Sequence, residues 1–386
     1  MQGHIDIEAL DEAAAAVVLR LAGLDTPVII ESIRLLGLDR EFYVQVRSTE
    51  RAEGLAFTNG RARYLHPILN QKIIAYFIGK DARELEQLLI GIYRHSSNYK
   101  LLGQALWCPV AWVEFAILDM LGRIAGRSIA ELMGGAVRER VSFYVASGRR
   151  DSTPEEEVDY LQGLVDETGA KAVKFRVGGR MSHNEDAAVG RTEKLIALAR
   201  ARLADDIDLH ADANGSYDPP KAIEVGRMLE EVGAVYFEEP CPFDHLEDTK
   251  RVADALTLPV SGGEQEASQR RFRWMIAERG VDIVQPDLHY YGGLIRSTRV
   301  ARMAAVAGMP TTVHISGGFG FVYMLHFAGF TPDIGRYQEY KCGIERYQDW
   351  FEPAIEIGDG AMTVPTGLGN GIADIAAIVA GAEHID

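Results

Sequence analysis

The sequence predicts an α/β fold: a (β/α)8-type, modified TIM-like barrel preceded by a smaller α+β domain. Between Lys171 and Glu339, short apolar, β-branched runs alternate with stretches of helical periodicity. This alternation is typical of βαβ units with parallel strands, and eight such units close into a barrel. Charged residues stand at the same end of successive runs, where barrels of this kind carry their active sites.

The predicted barrel strands are short and rich in β-branched residues. They are Ala172–Val177, Ile207–Ala213, Val235–Phe237, Leu258–Ser261, Ile283–Gln285 and Thr311–His314, with a first strand near Ser142–Ser147 and a last one at Gln338-Glu339-Tyr340. The chain of 386 residues is long enough for a barrel of about 250 residues and a second domain of about 100.

Ahead of the barrel, the pattern predicts strands followed by helices, which indicates a separate α+β domain. The expected strands are Val28–Leu36, Phe42–Arg47 and Leu55–Thr58, and the expected helical regions are Asp81–His95 and Val110–Met133, ending near Gly134-Gly135. We therefore predict an N-terminal extension (1–26), the α+β domain (27–140), the barrel (141–349) and a C-terminal segment (350–386) that returns to the first domain.

The N-terminal extension is predicted to form a short amphipathic helix. Its apolar run Ala13–Leu19 follows acidic residues, whereas a secretory signal has basic residues before such a run. We expect no membrane span, because we find no run approaching the roughly 18 apolar residues that one needs.

Three carboxylates suggest a metal site. Asp212, Glu238 and Glu264 end consecutive strands at equal steps of 26 residues. Carboxylates gathered at one rim repel one another unless a cation lies among them. A ligand set made only of oxygen favours a hard ion, and we predict one Mg²⁺ per subunit. The alternative is that they are ordinary acids of surface loops.

Two further pairs lie on these strands. Lys174 and Arg176 are two residues apart, so both side chains face the same side of their strand, here the barrel interior. Asp287 and His314 end neighbouring strands, and a carboxylate beside an imidazole fixes its tautomer and supports its protonated form. His210 shares the parity of Asp212 but lies deeper, and we interpret it as a core residue.

Together these motifs resemble the mandelate racemase group of the enolase superfamily. The resemblance is carried by Ala211-Asp212-Ala213-Asn214-Gly215, Phe237-Glu238-Glu239-Pro240, Gly263-Glu264, Gln285-Pro286-Asp287 and Val313-His314, and it covers the chain from about Val28 onwards. It implies that the α+β domain caps the barrel mouth. It also implies chemistry in which a base removes the proton next to a carboxylate while magnesium stabilises an enediolate.

The resemblance also assigns roles to individual residues. Asp212, Glu238 and Glu264 would hold magnesium, with Lys174 helping to stabilise the developing charge and His314, oriented by Asp287, acting on the proton. Glu339 would donate a hydrogen bond to the substrate carboxylate, which requires it to be protonated or nearly so. Asn214 and Glu239 would touch the metal or support its ligands, with Glu239 outside the direct ligand set.

Two loops leave their roles open. The loop that contains Asn59 and Arg61 lies where the family has a mobile substrate lid, so these side chains would meet hydroxyls or a carboxylate. After the first barrel strand comes Gly148-Arg149-Arg150. For both loops, substrate contact and plain solvated surface are alternatives.

Three functions compete: an acid-sugar dehydratase, a racemase or epimerase, and a barrel that keeps the metal without turnover. The racemases of the family use a second base, the last lysine of a Lys-x-Lys pair, and this chain has Arg176 there. A guanidinium is hardly ever deprotonated in proteins, so Arg176 is suited to holding a carboxylate or hydroxyl rather than accepting a proton. We therefore place dehydration of an aldonate or aldarate first.

Composition limits the partners. The net charge of −16 argues against nucleic acid and anionic membranes, but a small acid-sugar substrate is compatible with the local field of a metal and two cations. The three cysteines are far apart and odd in number, which fits a reducing cytoplasm. We also expect a homo-oligomer.

Overall fold

The computed structural model describes residues 5–315 and 318–385, so residues 1–4 of the predicted extension and Asp386 of the predicted C-terminal segment lie outside the described residues. The strands are β1 (Ile30–Leu38), β2 (Glu41–Ser48), β3 (Glu53–Phe57), β4 (Arg140–Ala146), β5 (Ala172–Arg176), β6 (Asp208–Asp212), β7 (Tyr236–Glu238), β8 (Val260–Gly262), β9 (Ile283–Val284), β10 (Gln338–Tyr340), β11 (Ile357–Gly358), β12 (Ala361–Thr363) and β13 (Glu383–Ile385).

The helices are α1 (Ile7–Ala15), α2 (Ala62–Ile68), α3 (Ala75–Phe77), α4 (Leu85–Arg94), α5 (Gly103–Ala125), α6 (Ile129–Leu132), α7 (Pro154–Thr168), α8 (Arg191–Arg202), α9 (Pro219–Glu231), α10 (Leu246–Ala255), α11 (Gln269–Ala277), α12 (Leu294–Val306), α13 (Phe321–Phe330) and α14 (Ile375–Gly381). A π-helical turn, Leu69–Ile74, joins α2 to α3. Short 3₁₀ turns occupy Ala82–Glu84, His95–Leu101, Gly318–Gly320 and Ile344–Trp350.

The capping domain is an antiparallel sheet covered by the long helix α5. The sheet has the order β13-β1-β2-β3, so the last strand of the chain completes the first domain. Helix α5 lies so close to β3 that any side chain at Gly54 would collide with the backbone of Ala116. Because β13 pairs with β1, the end of the C-terminal segment lies in the sheet of the first domain.

Helix α5 is also long and apolar enough to cross a membrane by length and composition alone. Its most apolar window is 94% buried by the protein's own side chains. Every residue from Leu106 to Gly122 is buried, so all sides of this part of the helix are covered. A helix that is apolar all round is expected in the core of a large protein, and α5 is such a core helix here.

The barrel follows the predicted order of parallel strands. Strands β4 to β9 pair in sequence, a backbone bridge joins Val284 to Thr311, and β10 pairs back with β4. At the seam between residues 311–314 and β10, the Val313 N–H donates to the Gln338 side chain at 3.1 Å. Within the described chain the backbone ladder does not close at this seam, where this side-chain hydrogen bond links the two segments.

One expected helix end was wrong, and two features were not predicted. The long cap helix ends at Ala125 rather than near Gly134-Gly135, because Gly126 adopts a φ of 67° and terminates it. The helical segments between Ala62 and Phe77 were not predicted. Proline is uncommon inside a helix, and Pro67 lies inside α2. The hairpin β11–β12 joins the barrel strand β4, so the C-terminal segment contacts both domains.

The N-terminal extension joins the barrel to the cap. Helix α1 packs on α12 through Leu10, which is fully buried. Beyond the helix, the N–H groups of Val18 and Leu19 both donate to Glu86 of α4, at 3.0 Å each. The sequence predicted the helix but not this connection.

The two domains also meet through a buried carboxylate. Glu114 of α5 accepts the N–H groups of Leu294 and Ile295 at 2.7 and 2.9 Å, and it thereby caps the first turn of barrel helix α12. These N–H groups have no partner within their own helix, so a carboxylate there is stabilising. The contact fixes the cap over the carboxyl ends of the barrel strands.

Candidate active site

Two of the proposed metal ligands end neighbouring barrel strands. Asp212 and Glu238 are the last residues of β6 and β7, and they lie opposite each other in the parallel register. Both are almost completely buried. Glu264 follows β8 by two residues, after Gly263, whose φ of 117° permits the turn. The fold therefore brings the three evenly spaced carboxylates to one end of the barrel.

The two cations of β5 face these carboxylates. Lys174 Nζ donates to both oxygens of Glu238, at 2.9 and 2.8 Å. The Arg176 guanidinium contacts the carboxylate of Asp212, its partner in the strand register. Burial lowers the pKa of Lys174, but Glu238 and Glu339 outweigh that effect and raise it to about 12. Lys174 therefore stays charged and is a poor base in this arrangement.

Glu239 adds a fourth carboxylate to the cluster. It is buried, and within the described part of the chain its Oε1 has no hydrogen-bond partner. Burial, followed by the charges of Glu264 and Glu238, raises the pKa of Glu239 well above its usual range. The shift therefore reflects first the burial of Glu239 and then the negative charge of its neighbours.

The chemistry of this cluster fits a hard divalent cation. All of its candidate ligands are carboxylate oxygens, which Mg²⁺ prefers, and the unpaired Oε1 of Glu239 adds a buried acceptor. Over residues 5–315 and 318–385, no three His, Cys, Asp or Glu side chains converge closely enough to hold a metal. Instead, Lys174 forms an ion pair with Glu238, and Arg176 contacts Asp212. The ligand set Asp212, Glu238 and Glu264 stays a prediction.

The His314–Asp287 pair lies on the other side of the cluster. His314 Nδ1 and Asp287 Oδ2 are 2.6 Å apart, and Asp287 Oδ1 accepts the N–H groups of His289 and Tyr290 at 2.7 and 2.8 Å. These bonds hold the carboxylate rigidly, so it orients the imidazole. His314 Nε2 lies 3.5 Å from Glu264 Oε2. This second ring nitrogen thus faces the carboxylate cluster.

Charge and burial act in opposite directions on His314. Burial alone would lower the pKa of its imidazole, but Glu264, Asp287 and Glu339 together raise the pKa above its usual value. The imidazolium form is therefore stabilised once the ring has taken a proton. That is the property expected of a general base that afterwards acts as an acid.

The expected protonation of Glu339 was wrong for the protein as the structure shows it. Burial would raise the pKa of Glu339, but Lys341, Lys174 and His314 hold it well below its usual range. Lys341 Nζ donates to Glu339 Oε1 at 2.8 Å. Glu339 is therefore a carboxylate, which accepts hydrogen bonds and does not donate one.

The deeper residue His210 agrees with its interpretation as part of the core. It is fully buried on β6, with its ring against those of Tyr144 and Tyr236. Burial, followed by the charge of Lys174, lowers the pKa of His210 well below its usual value. A neutral imidazole at this depth packs as an apolar group.

Asn214 bridges two parts of the site. Its backbone N–H and its side-chain Nδ2 both donate to Asp212, at 2.7 and 3.1 Å, and Nδ2 lies 3.5 Å from Glu239 Oε2. Its φ of 44° is unusual for a residue other than glycine. Asn214 thus lies beside the carboxylates, and whether it touches the metal or supports its ligands stays a prediction.

The predicted lid residues begin helix α2 at the mouth of the site. Asn59 is buried, and its side chain accepts the N–H of Arg61 at 3.2 Å. The Arg61 guanidinium stacks 4.1 Å from the ring centre of Tyr290, and its Nε donates to Gln104 at 2.9 Å. Arg61 therefore reaches the cavity from the cap.

A cavity of about 410 Å³ opens between the cap and the barrel at these residues. Its volume lies in the range of small-molecule sites. It is lined by Arg61, Arg176, Arg180, Met181, Asn214, Gly215, Glu239, Phe243, Glu264, Gln265, Tyr290, His314 and Lys341. Sequence reasoning missed Lys341 and Arg180. Lys341 follows Glu339 by two residues, and this shared parity was the available signal.

Comparison with known proteins shows similarity along most of the chain. Residues 156–374 match the description "Enolase C-terminal domain-like" and residues 40–134 match "Mandelate racemase / muconate lactonizing enzyme, N-terminal domain". The arabinonate dehydratase of Saccharolobus solfataricus is 31% identical over 79% of this chain and 80% of its own length. The D-galactarolactone cycloisomerase of Agrobacterium fabrum is 28% identical over 90% and 92%.

A solved structure shares the architecture. The mandelate racemase/muconate lactonizing protein of Paracoccus denitrificans, complexed with magnesium, has a TM-score of 0.83 and 23% identity, covering 93% of this chain and 98% of that one. The likeness supports a capping domain followed by a (β/α)8 barrel. A dehydratase among the relatives is consistent with a lyase. The protein is thus a member of the mandelate racemase/muconate lactonizing enzyme family of the enolase superfamily.

Proposed function

We propose that the protein is a magnesium-dependent lyase that dehydrates an acid sugar, an aldonate or aldarate, to a 2-keto-3-deoxy acid. The observation that carries the proposal is the oriented His314–Asp287 pair. His314 Nε2 faces the carboxylate cluster, and Lys174 and Arg176 flank that cluster. A base, a cluster suited to a divalent cation and fixed cations around one cavity are the parts that removal of a proton beside a carboxylate requires.

In the first step, His314 Nε2 accepts the proton from the carbon next to the substrate carboxylate, and the electrons of the C–H bond move onto the carboxylate oxygens to give an enediolate. Lys174, held charged by Glu238 and Glu339, stabilises that negative charge. Magnesium held by Asp212, Glu238 and Glu264 would supply further positive charge at the same oxygens.

In the second step, the β-hydroxyl departs as water. Its C–O bond breaks as the enediolate electrons form the new double bond, and the His314 imidazolium returns a proton to the leaving oxygen. The resulting enol tautomerises to the 2-keto-3-deoxy acid. Asp287 holds the ring in place for both transfers through its 2.6 Å contact.

Racemisation is the second candidate function, and the cycloisomerase among the relatives is the observation that favours an isomerase. Inversion needs a second base on the opposite face. Arg176 is a guanidinium in contact with Asp212, and such a group rarely gives up its proton. A cytoplasmic location and a homo-oligomeric assembly belong to the same proposal.

The test is a screen of the purified protein with magnesium against monoacid and diacid sugars, with 2-keto-3-deoxy acids detected as semicarbazones. We expect a keto product from the wild type and none from His314→Asn. If the best substrate is epimerised without a keto product, dehydration is wrong and racemisation replaces it. If His314→Asn keeps full turnover, the base lies elsewhere.

A further inference from the structure

Two arginines from consecutive barrel loops meet at one amide oxygen. Arg150 follows β4 and Arg180 follows β5. The Arg150 Nη2 donates to Asn214 Oδ1 at 3.0 Å, and the Arg180 Nη2 lies 3.4 Å from the same oxygen. Arg150 Nε also donates to the Gly178 carbonyl at 3.0 Å, which anchors its guanidinium. A neutral amide oxygen is thus shared by two positive charges.

Neither guanidinium has an acidic partner within the described part of the chain, where no Asp or Glu oxygen lies within 4.0 Å of Arg150 or Arg180. Arg150 is half-buried. Burial, followed by the charges of Arg176, Arg180 and Arg191, lowers the pKa of Arg150 to about 10. A partly buried cation such as Arg150 is costly unless an anion joins it, whereas Arg180 is exposed to solvent and is free to approach a ligand.

Arg180 lies at the wall of the catalytic cavity, and Arg150 contacts the wall residue Asn214. Arg180 and Asn214 both line the 410 Å³ space that also contains Glu264 and His314. Asn214 donates to Asp212 through the opposite end of the same side-chain amide, at 3.1 Å. One amide therefore separates the arginines from the carboxylate cluster, so a ligand held at the cluster extends towards them.

We infer that Arg150 and Arg180 bind the second, distal carboxylate of the substrate, and that the substrate class is the aldarates, the diacid sugars. The inference rests on the proposed function. Guanidinium groups match carboxylates through paired N–H donors. The hydroxymethyl end of an aldonate would leave both cations without an anion.

The experiment compares diacids with the monoacids that differ only at the last carbon: galactarate with galactonate, glucarate with gluconate and mannarate with mannonate. We expect wild-type kcat/KM to favour the diacid of the reactive pair by about 10- to 100-fold, the worth of charged hydrogen bonds. Arg180→Gln should remove this preference by raising KM for the diacid more than KM for the monoacid.

Two further variants make the result specific. Arg150→Gln should act in the same direction, and its melting temperature shows whether the partly buried site still folds. Arg149→Gln is the matched control, because Arg149 stacks on Tyr160 and lies 3.7 Å from Glu157, away from Asn214. It should leave both substrates unaffected.

Equal or better turnover of the monoacid by the wild type overturns the inference, as does an equal loss for both substrates in Arg180→Gln. The keto acid still forms in either case, so the proposed function stands. If the wild type turns over none of these acids, the wider screen described above decides the proposed function, and binding decides the inference. Galactarate should then raise the melting temperature more than galactonate in the wild type but not in Arg180→Gln, and an equal rise would overturn it.

Discussion

Replacing Asp287 with asparagine isolates the contribution of imidazole orientation. Asp287 Oδ1 accepts two backbone N–H groups, so the asparagine oxygen would take that place and its NH₂ would face His314 Nδ1. An NH₂ donor makes Nδ1 an acceptor, which moves the proton of the neutral ring to Nε2. The nitrogen that faces the carboxylate cluster then has no lone pair to accept a proton.

The expected magnitude follows from the role lost. General base catalysis contributes about 10² to 10⁴ in rate, which corresponds to about 3–5 kcal/mol of barrier. Asp287→Asn should lower kcat by that factor and change KM little, because Asp287 lies beneath the imidazole and outside the residues that line the cavity. The Asp287 carboxylate also contributes to the raised pKa of His314. Its loss therefore destabilises the imidazolium that donates a proton to the leaving hydroxyl.

The assay is exchange of the α-proton of the acid sugar in deuterated water, followed by proton NMR, together with keto acid formation. Asp282→Asn is the matched control, because Asp282 directly precedes β9 and its carboxylate accepts the Val260 N–H at 2.9 Å, a bond that an asparagine oxygen also accepts. The control should keep wild-type activity. A folded Asp287→Asn protein whose exchange and turnover stay within tenfold of the wild type would refute the reasoning.

Two further predictions test the metal and the N-terminal helix. Adding magnesium after chelation should raise the wild-type melting temperature by ligand linkage, and Glu238→Gln should abolish the rise; an unchanged wild-type value would contradict the metal assignment. Leu10→Ala should lower the free energy of unfolding by about 2–5 kcal/mol, because it empties a fully buried site between α1 and α12. Chemical denaturation measures this loss, the exposed Val17→Ala serves as control, and equal stability of the two variants would show that α1 is not packed as described.

Sequence periodicity by itself determined the barrel and the end at which its charged residues lie. Parallel strands present alternate side chains inward and end at the same rim, so Asp212, Glu238 and Glu264 were placed by counting alone. The parity of Lys174 and Arg176 followed from the same rule. The end of helix α5 depends on the backbone conformation of one residue, Gly126, and the pattern of apolar residues does not indicate that conformation.

Tertiary structure alone decided which of these charges meet. Lys341 pairs with Glu339 from two residues along the chain, but Lys174 and His314, which also lower the pKa of Glu339, are brought to it only by the folding of other strands. The convergence of Arg150 and Arg180 on Asn214 joins three loops that are separate in the chain. Such contacts depend on loop paths and on the balance of burial against charge, and that balance exists only once the chain has folded.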